Sequence, residues 1–145
     1  MCELLCGRGG DISPYLEAKI RKYIGVDPNK EDINVARLKW NDQSQTYVHF
    51  VQADPFKIDL FQKLRLDKPT ANLFDVVTSQ PRLFASLGNP YRTAQLFDNI
   101  SNLLNPEGYF IGYTIDPDVI QLRLQEQGLS LTHPKISFPH VIEFP

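Results

Sequence analysis

The stretch ELLCGRGGD, residues 3–11, decides the fold of this chain. The apolar run from Cys2 to Cys6 predicts a β-strand, and the glycines that follow it predict a tight turn. Beyond the turn, Ser13 and Pro14 are typical of a helix N-cap and a first helical residue. A strand, a glycine turn and a helix in this order indicate the first half of a βαβ unit.

The rest of the chain repeats this alternation. Runs of β-branched and aromatic residues predict further strands at 23–26, 47–52, 74–79 and 109–115. Helical periodicity and proline or aspartate caps predict helices at 33–40, 56–66 and 90–104, a closing turn at 105–108, and a last helix from Asp116-Pro117 to Gly128. Alternating strands and helices are typical of an α/β fold with a mostly parallel sheet and helices on both faces.

Length and charge limit the classes of function. The 145 residues are enough for one domain, and 15 Lys and Arg stand against 17 Asp and Glu, a formal net charge of −2. This balance argues against a broad basic surface for nucleic acid. Any polynucleotide contact is therefore expected to be local or supplied by a partner.

The cysteines and histidines predict neither a disulfide nor a metal site. Cys2 and Cys6 lie in one predicted strand, too far apart to be bridged, and are expected to be reduced core thiols. His49, His133 and His140 are scattered without ligand spacing, so no metal is expected. Because no apolar run approaches the roughly 20 residues of a membrane span, we expect a soluble, intracellular protein without membrane contact.

The predicted topology places four strand ends around one crevice. In open parallel sheets the ligand lies beyond the carboxyl ends of the strands, which here carry residues 7–10, Asp27, Asp54 and Gln80. A dinucleotide site would need a third glycine where this chain has Ile12, which weakens a pyrophosphate interpretation. Acidic residues suit instead a ligand with a cationic end and an adenosine.

S-adenosylmethionine has this chemistry. Glu3, four residues before the first glycine, suits its positive charge, Asp27 suits its ribose hydroxyls and Asp54 its adenine amine. Each residue also has a plainer interpretation, which stays open at this stage. Gly7, Gly9 and Gly10 can form only a tight turn, both aspartates are common in turns and caps, Gln80 can be a loop amide, and Trp40 suits a half-buried helix position better than a base-stacking one.

Several segments together resemble the eukaryotic and viral mRNA cap guanine-N7 methyltransferases. They are ELLCGRGGD, GVDPNKEDINVARLKW, FVQADPF, FDVVTSQ and LLNPEGYFIGYTID, and the resemblance covers nearly all of residues 3–124. It implies a Rossmann-like class I methyltransferase sheet with strand order 3-2-1-4-5. It also implies S-adenosylmethionine as cofactor, bound by Gly7, Asp27, Asp54 and Gln80 with Glu3 and Gly9 in the same motif, and a role on the substrate side for Arg8, where the family usually has lysine.

The sequence departs from this family in three places. Where the family has a histidine-tyrosine pair that closes over cofactor and guanine, this chain has Phe84 and Ala85, and Phe84 is the expected substrate-side residue. The family's lysine- and asparagine-containing segment would precede Met1, and its last strand pair is not recognisable in residues 129–145. We therefore expect a core without both ends: residues 1–128 bind the cofactor, and residues 129–145 form a tail that can supply an edge strand.

The resemblance implies methyl transfer to N7 of the cap guanine. The N7 lone pair needs no general base, so no catalytic residue is predicted, and proximity and orientation would carry the reaction. Two alternatives stay open: a non-catalytic methyltransferase-like partner or regulatory subunit, and a small-molecule methyltransferase. The implied partners are a capped RNA 5′ end and a second copy or a capping-enzyme subunit, in the nucleus or, for a viral protein, in the cytoplasm.

Overall fold

The computed structural model describes residues 1–40, 46–64, 73–79 and 89–112. These residues form five strands and four helices in alternation: β1 (Cys2–Leu4), α1 (Ile12–Glu17), β2 (Lys22–Asp27), α2 (Lys30–Lys39), β3 (Tyr47–Gln52), α3 (Leu60–Lys63), β4 (Phe74–Ser79), α4 (Pro90–Leu103) and β5 (Leu104–Gly112). All strand pairs are parallel, and the strand order is β3-β2-β1-β4-β5. The α/β class, the parallel sheet and the order 3-2-1-4-5 are confirmed.

Each face of the sheet has its own core. Successive residues of a strand point to opposite faces, so Tyr23 and Ile24 in β2 belong to different cores. Tyr23 packs with residues of α1 and α2, among them Ile12 and Ile33. Ile24 packs in the larger core, which includes Leu60 of α3 and the buried side of α4. The helices therefore cover both faces, as predicted.

The first strand and helix differ from the predicted boundaries. β1 ends at Leu4 rather than Cys6, because Leu5 has a left-handed φ of 62° that no strand residue adopts. α1 begins at Ile12, with Ser13 inside its first turn and Asp11 rather than Ser13 at the N-cap position. It ends at Glu17, close to Lys19, whose φ of 56° is also left-handed.

The third helix is shorter than predicted. A helix was expected over 56–66, but α3 covers only Leu60–Lys63, and the Asp59 side chain caps it by accepting the Gln62 N–H. The carbonyl groups of Pro55 and Ile58 accept hydrogen bonds from Asn99 of α4 instead of continuing a helix. A long-range contact therefore replaces the local hydrogen bonds that the periodicity predicted.

The turn predicted at 105–108 lies inside an interrupted strand pair. Leu104 pairs with Phe74 and Tyr109 with Val76, so four residues of β5 lie opposite one residue of β4. The strand from 109 runs as predicted to Gly112. Its expected continuation to Ile115, the last helix and the tail at 129–145 lie outside the described residues.

Candidate cofactor site

The turn between β1 and α1 is open on one side. Gly7 and Gly9 have φ of 52° and 65°, in the left-handed region that favours glycine. A Cβ added to Gly7 would meet no heavy atom within 4 Å, whereas one added to Gly9 would lie 2.9 Å from Trp40 Nε1. The turn therefore offers free space at Gly7 and is closed by a side chain at Gly9.

Asp27 lies beside the open side of this turn. Its Oδ2 accepts the N–H of Gly7 at 2.9 Å, and its Oδ1 accepts the N–H of Asn29 at 2.8 Å. The residue is only 2% exposed. Each carboxylate oxygen can accept a second hydrogen bond. Asp27 thus anchors the turn and retains acceptor capacity for a ligand.

Asp54 follows the end of β3 and comes close to the end of β2. The preceding Ala53 N–H donates to the Asp27 carbonyl at 3.0 Å, which brings the two predicted acidic residues to the same edge. Asp54 Oδ1 accepts the Phe56 N–H at 3.0 Å, and its Oδ2 lies 3.3 Å from Lys57 Nζ and 3.6 Å from Arg92 Nη2. The carboxylate is partly exposed and already has two cationic neighbours.

Glu3 lies under the turn in the core between the sheet and α1 and α2. It is fully buried, and the Tyr23 hydroxyl donates a hydrogen bond to its Oε2. Burial, reinforced by the Glu3 charge, raises the pKa of Tyr23, and burial likewise raises the pKa of the Cys6 thiol. Glu3 therefore accepts a hydrogen bond from the buried Tyr23 hydroxyl. Its direct contact with a cofactor stays a prediction.

Helix α2 contacts the turn at two further points. Arg8 Nε lies 2.8 Å from Asp32 Oδ1, and Asp32 is the main cause of the raised pKa of Arg8. Trp40 Nε1 donates to the Gly9 carbonyl at 2.9 Å. Trp40 is half-buried, as predicted, and it is the C-cap residue of α2 rather than a residue inside the helix. The Arg8 guanidinium turns toward α2, and its predicted role on the substrate side stays a prediction.

The end of β4 carries two buried hydroxyl groups. Thr78 Oγ1 and Ser79 Oγ have no hydrogen-bond partner among the described residues. Ser79 pairs with Leu4 at the end of β1, where the strand order reverses. Buried hydroxyls normally find a partner, so this strand end has polar capacity available to a ligand. The predicted site residues Gln80 and Phe84 follow it and lie outside the described residues.

A cavity of about 370 Å³ lies on the face of the sheet that α1 covers. It is mostly apolar and is lined by Met1, Tyr15, Ile20, Val76, Thr78, Ser79 and Ile111. It reaches the end of β4 through Thr78 and Ser79, whereas neither the glycines of the turn nor Asp27 borders it.

The sequence predicted neither a metal site nor a membrane-spanning segment. The described residues contain no group of three or more His, Cys, Asp or Glu placed to hold a metal ion. Within those same ranges, no helix is both long and apolar enough to cross a membrane. Cys2 and Cys6 are free and buried, as predicted.

Asn99 is a residue of the site region that the sequence analysis missed. It is 1% exposed, its Oδ1 accepts the Leu60 N–H at 2.8 Å, and its Nδ2 donates to the carbonyls of Pro55 and Ile58, both at 2.8 Å. It thereby fixes the segment that follows Asp54. The sequence does contain a signal for it. Asn99 lies one helical turn from Leu96 and from Leu103 on the apolar face of α4, and a buried amide at such a position needs hydrogen-bond partners.

Comparison with known proteins gives consistent matches. Residues 1–133 match the mRNA (guanine-N(7))-methyltransferase domain family. The mRNA cap guanine-N(7) methyltransferase 1 of Oryza sativa subsp. japonica is 33% identical over 132 residues, which cover 86% of this chain and 35% of that protein. The protein of the same name from Arabidopsis thaliana is 32% identical over 139 residues, 89% of this chain and 36% of that protein. The chain thus spans little more than a third of these relatives.

Solved structures show the same fold at low identity. The N-methyltransferase NodS of Bradyrhizobium japonicum superimposes with a TM-score of 0.67 at 16% identity, over 99% of this chain and 83% of that one. A ribosomal protein L11 methylase of Lactobacillus delbrueckii subsp. bulgaricus gives a TM-score of 0.68 at 11% identity, over 99% and 67% of the two chains. The common feature is the class I methyltransferase architecture.

Proposed function

We propose that this chain, which belongs to the mRNA (guanine-N(7))-methyltransferase family, binds S-adenosylmethionine at the glycine turn and contributes to methylation of the cap guanine at N7. The observation that carries the proposal is the turn itself. It is open at Gly7 and anchored by a buried carboxylate, Asp27, whose oxygens retain acceptor capacity. An adenosine ligand with a ribose diol fits these groups.

The side chains around the turn are of the chemical types that would bind this cofactor. Asp27 is the proposed acceptor for the ribose hydroxyls, and Asp54 the proposed acceptor at the adenine end. The buried hydroxyls of Thr78 and Ser79 lie at the end of β4 and are proposed as further polar contacts for the cofactor. Gln80, the next residue, is the proposed further contact.

The chain's contribution to the reaction is orientation. Bound S-adenosylmethionine would supply an activated methyl group on a sulfonium. Because guanine N7 has its own lone pair, the protein needs only to hold the two reactants in line and exclude water. We accordingly assign no general base. Arg8 and Phe84 are proposed to lie on the side where the capped RNA 5′ end binds. The proposed location of the reaction is the nucleus, or the cytoplasm for a viral protein.

One sequence feature favours a second candidate. The family's histidine-tyrosine pair is replaced by Phe84 and Ala85, and a phenyl ring can stack on guanine but cannot donate hydrogen bonds. A methyltransferase-like partner or regulatory subunit would keep the cofactor fold without the cap chemistry. Because Phe84 lacks the hydrogen bonds of histidine and Ala85 leaves a gap where the family has tyrosine, cap methylation by this chain is expected to be weak or absent.

Calorimetric titration separates these functions. We expect S-adenosylhomocysteine to bind the purified chain, and a GpppG cap analogue to bind measurably if the chain takes part in cap methylation. Cofactor binding without cap binding would favour the regulatory subunit or a small-molecule methyltransferase. Absence of S-adenosylhomocysteine binding in a protein shown to be folded would contradict the proposed function.

A further inference from the structure

Gly9 is the part of the glycine turn that another element closes off. Its carbonyl accepts the indole N–H of Trp40 at 2.9 Å, and a Cβ on Gly9 would lie 2.9 Å from Trp40 Nε1 and 3.0 Å from its Cδ1. The φ of +65° at Gly9 adds a second reason why only glycine fits. Trp40 and Gly9 are 31 residues apart and form a close-packed pair.

Trp40 is itself fixed by helix α2. It is the C-cap residue of that helix, and its backbone N–H donates to the Ala36 carbonyl at 3.0 Å. Its ring packs against the core formed by α1, α2 and the sheet, and the Lys39 ammonium lies 4.9 Å from the ring centroid. Trp40 therefore holds its hydrogen-bond partner in a fixed position relative to helix α2.

The three residues of the turn are held by three different groups. Asp27 binds the Gly7 N–H, Asp32 pairs with Arg8, and Trp40 binds the Gly9 carbonyl. The Arg8 side chain is 71% exposed, so its ion pair contributes little. Asp27 is 2% exposed and Trp40 is half-buried, so both side chains are better shielded from water than Arg8. The Gly9 N–H donates to the Cys6 carbonyl at 3.0 Å, and the indole of Trp40 holds the carbonyl side of the same residue.

We infer that Trp40 is a positioning residue, which orders the Gly9-Gly10 peptide so that the turn accepts its ligand without first losing conformational freedom. Two adjacent glycines have the largest backbone freedom of any dipeptide, and an unfixed turn would have to be ordered on binding. The hydrogen bond from the indole supplies that order in advance. This inference rests on the proposed cofactor function, because the ligand is taken to be S-adenosylmethionine.

Trp40 also provides its own signal. It is the one tryptophan in the 145-residue sequence. Since its N–H is already bonded to the ligand-free turn, the indole should show the emission of a hydrogen-bonded, half-buried ring before any ligand is added. Saturation with S-adenosylhomocysteine, followed in parallel by calorimetry, should leave its emission maximum unchanged.

The test compares Trp40→Phe with Ile33→Val. The first variant keeps an aromatic ring and removes the N–H donor. The second weakens the packing of the same helix at a fully buried position and leaves the indole N–H in place. For Trp40→Phe we expect S-adenosylhomocysteine to bind about threefold to tenfold more weakly, as loss of one hydrogen bond implies. Amide hydrogen exchange of the ligand-free turn should also become faster. Ile33→Val should change neither, although it lowers the melting temperature.

Each result decides the inference. Unchanged affinity and exchange in Trp40→Phe would overturn it, and so would equal losses in Ile33→Val, since general destabilisation would then explain both. If Trp40→Phe does not fold, the wild-type titration decides: a shift of the indole emission maximum as S-adenosylhomocysteine saturates the chain would mean that the contact forms only with the ligand, and it would overturn the inference. If the wild-type chain does not bind S-adenosylhomocysteine, the proposed function fails, and the ligand-free exchange of the turn still decides whether Trp40 orders it.

Discussion

Replacing Asp27 by Asn tests whether this carboxylate anchors the glycine turn. Asp27 accepts two backbone N–H groups, at 2.9 Å from Gly7 and 2.8 Å from Asn29, in a position that is 2% exposed. An asparagine can accept one of these bonds, but its NH₂ group must then face the other donor. The variant loses one charge-assisted hydrogen bond, about 1.5–3 kcal/mol, and leaves a buried N–H unsatisfied.

We expect the free energy of unfolding of Asp27→Asn to fall by about 3 kcal/mol. A domain of this size has about 5–15 kcal/mol in total, so the variant should remain folded with a melting temperature lower by roughly 10 °C. Urea unfolding at pH 7, followed by circular dichroism, measures the change. Asp98→Asn is the matched control, because Asp98 is exposed on α4 and the charge change is the same. The control should stay within about 0.5 kcal/mol of wild type.

The same pair of variants separates anchoring from ligand binding. Saturating S-adenosylhomocysteine should raise the melting temperature of Asp98→Asn as it does for wild type, and raise that of Asp27→Asn much less. An Asp27→Asn protein within about 0.5 kcal/mol of wild type would refute the anchoring role. Normal stabilisation by the ligand in that variant would refute the proposed ribose contact.

Four further predictions follow from buried contacts and the sheet edge. Burial raises the pKa of Cys2 from 9.0 to about 12, so as the pH rises the thiol ionises first in the unfolded chain. The free energy of unfolding should therefore fall above pH 9 by about 1.4 kcal/mol per pH unit. Urea unfolding between pH 8 and 11 should show a shallower fall for Cys2→Ala than for wild type. Asn99→Ala removes three buried hydrogen bonds and should cost about 3 kcal/mol or more in the same assay; a loss below about 1 kcal/mol would contradict that role. Gly25→Ala would place a Cβ 2.7 Å from Phe50 Cδ1 and should cost about 1–3 kcal/mol, seen as a lower melting temperature; an unchanged one would contradict the close packing. A chain ended at Gly128 should aggregate in light scattering if the tail covers the edge strand β5, and a stable monomer would exclude that role.

Much of the candidate site could be predicted from residue types and their positions. The glycine turn, Asp27 and Asp54 were placed at one edge because each follows a predicted strand, and parallel strands end at the same edge of a sheet. The structure brings these three features together. The family resemblance is confirmed by the match over residues 1–133. The partners of Glu3 and Arg8 could not be predicted, because neither Tyr23 nor Asp32 is near them in sequence.

The sequence by itself determined the order of strands and helices and the position of the glycine turn, since these depend on periodicity, caps and backbone freedom within a few residues. Only the tertiary structure decided which buried groups bind one another. The Gly7 N–H donates to a carboxylate 20 residues away in sequence, and the Gly9 carbonyl accepts from Trp40, 31 residues away. Asn99 accepts from Leu60, which is 39 residues away. Such pairs depend on strand order and helix crossover, which set distances that no local pattern contains.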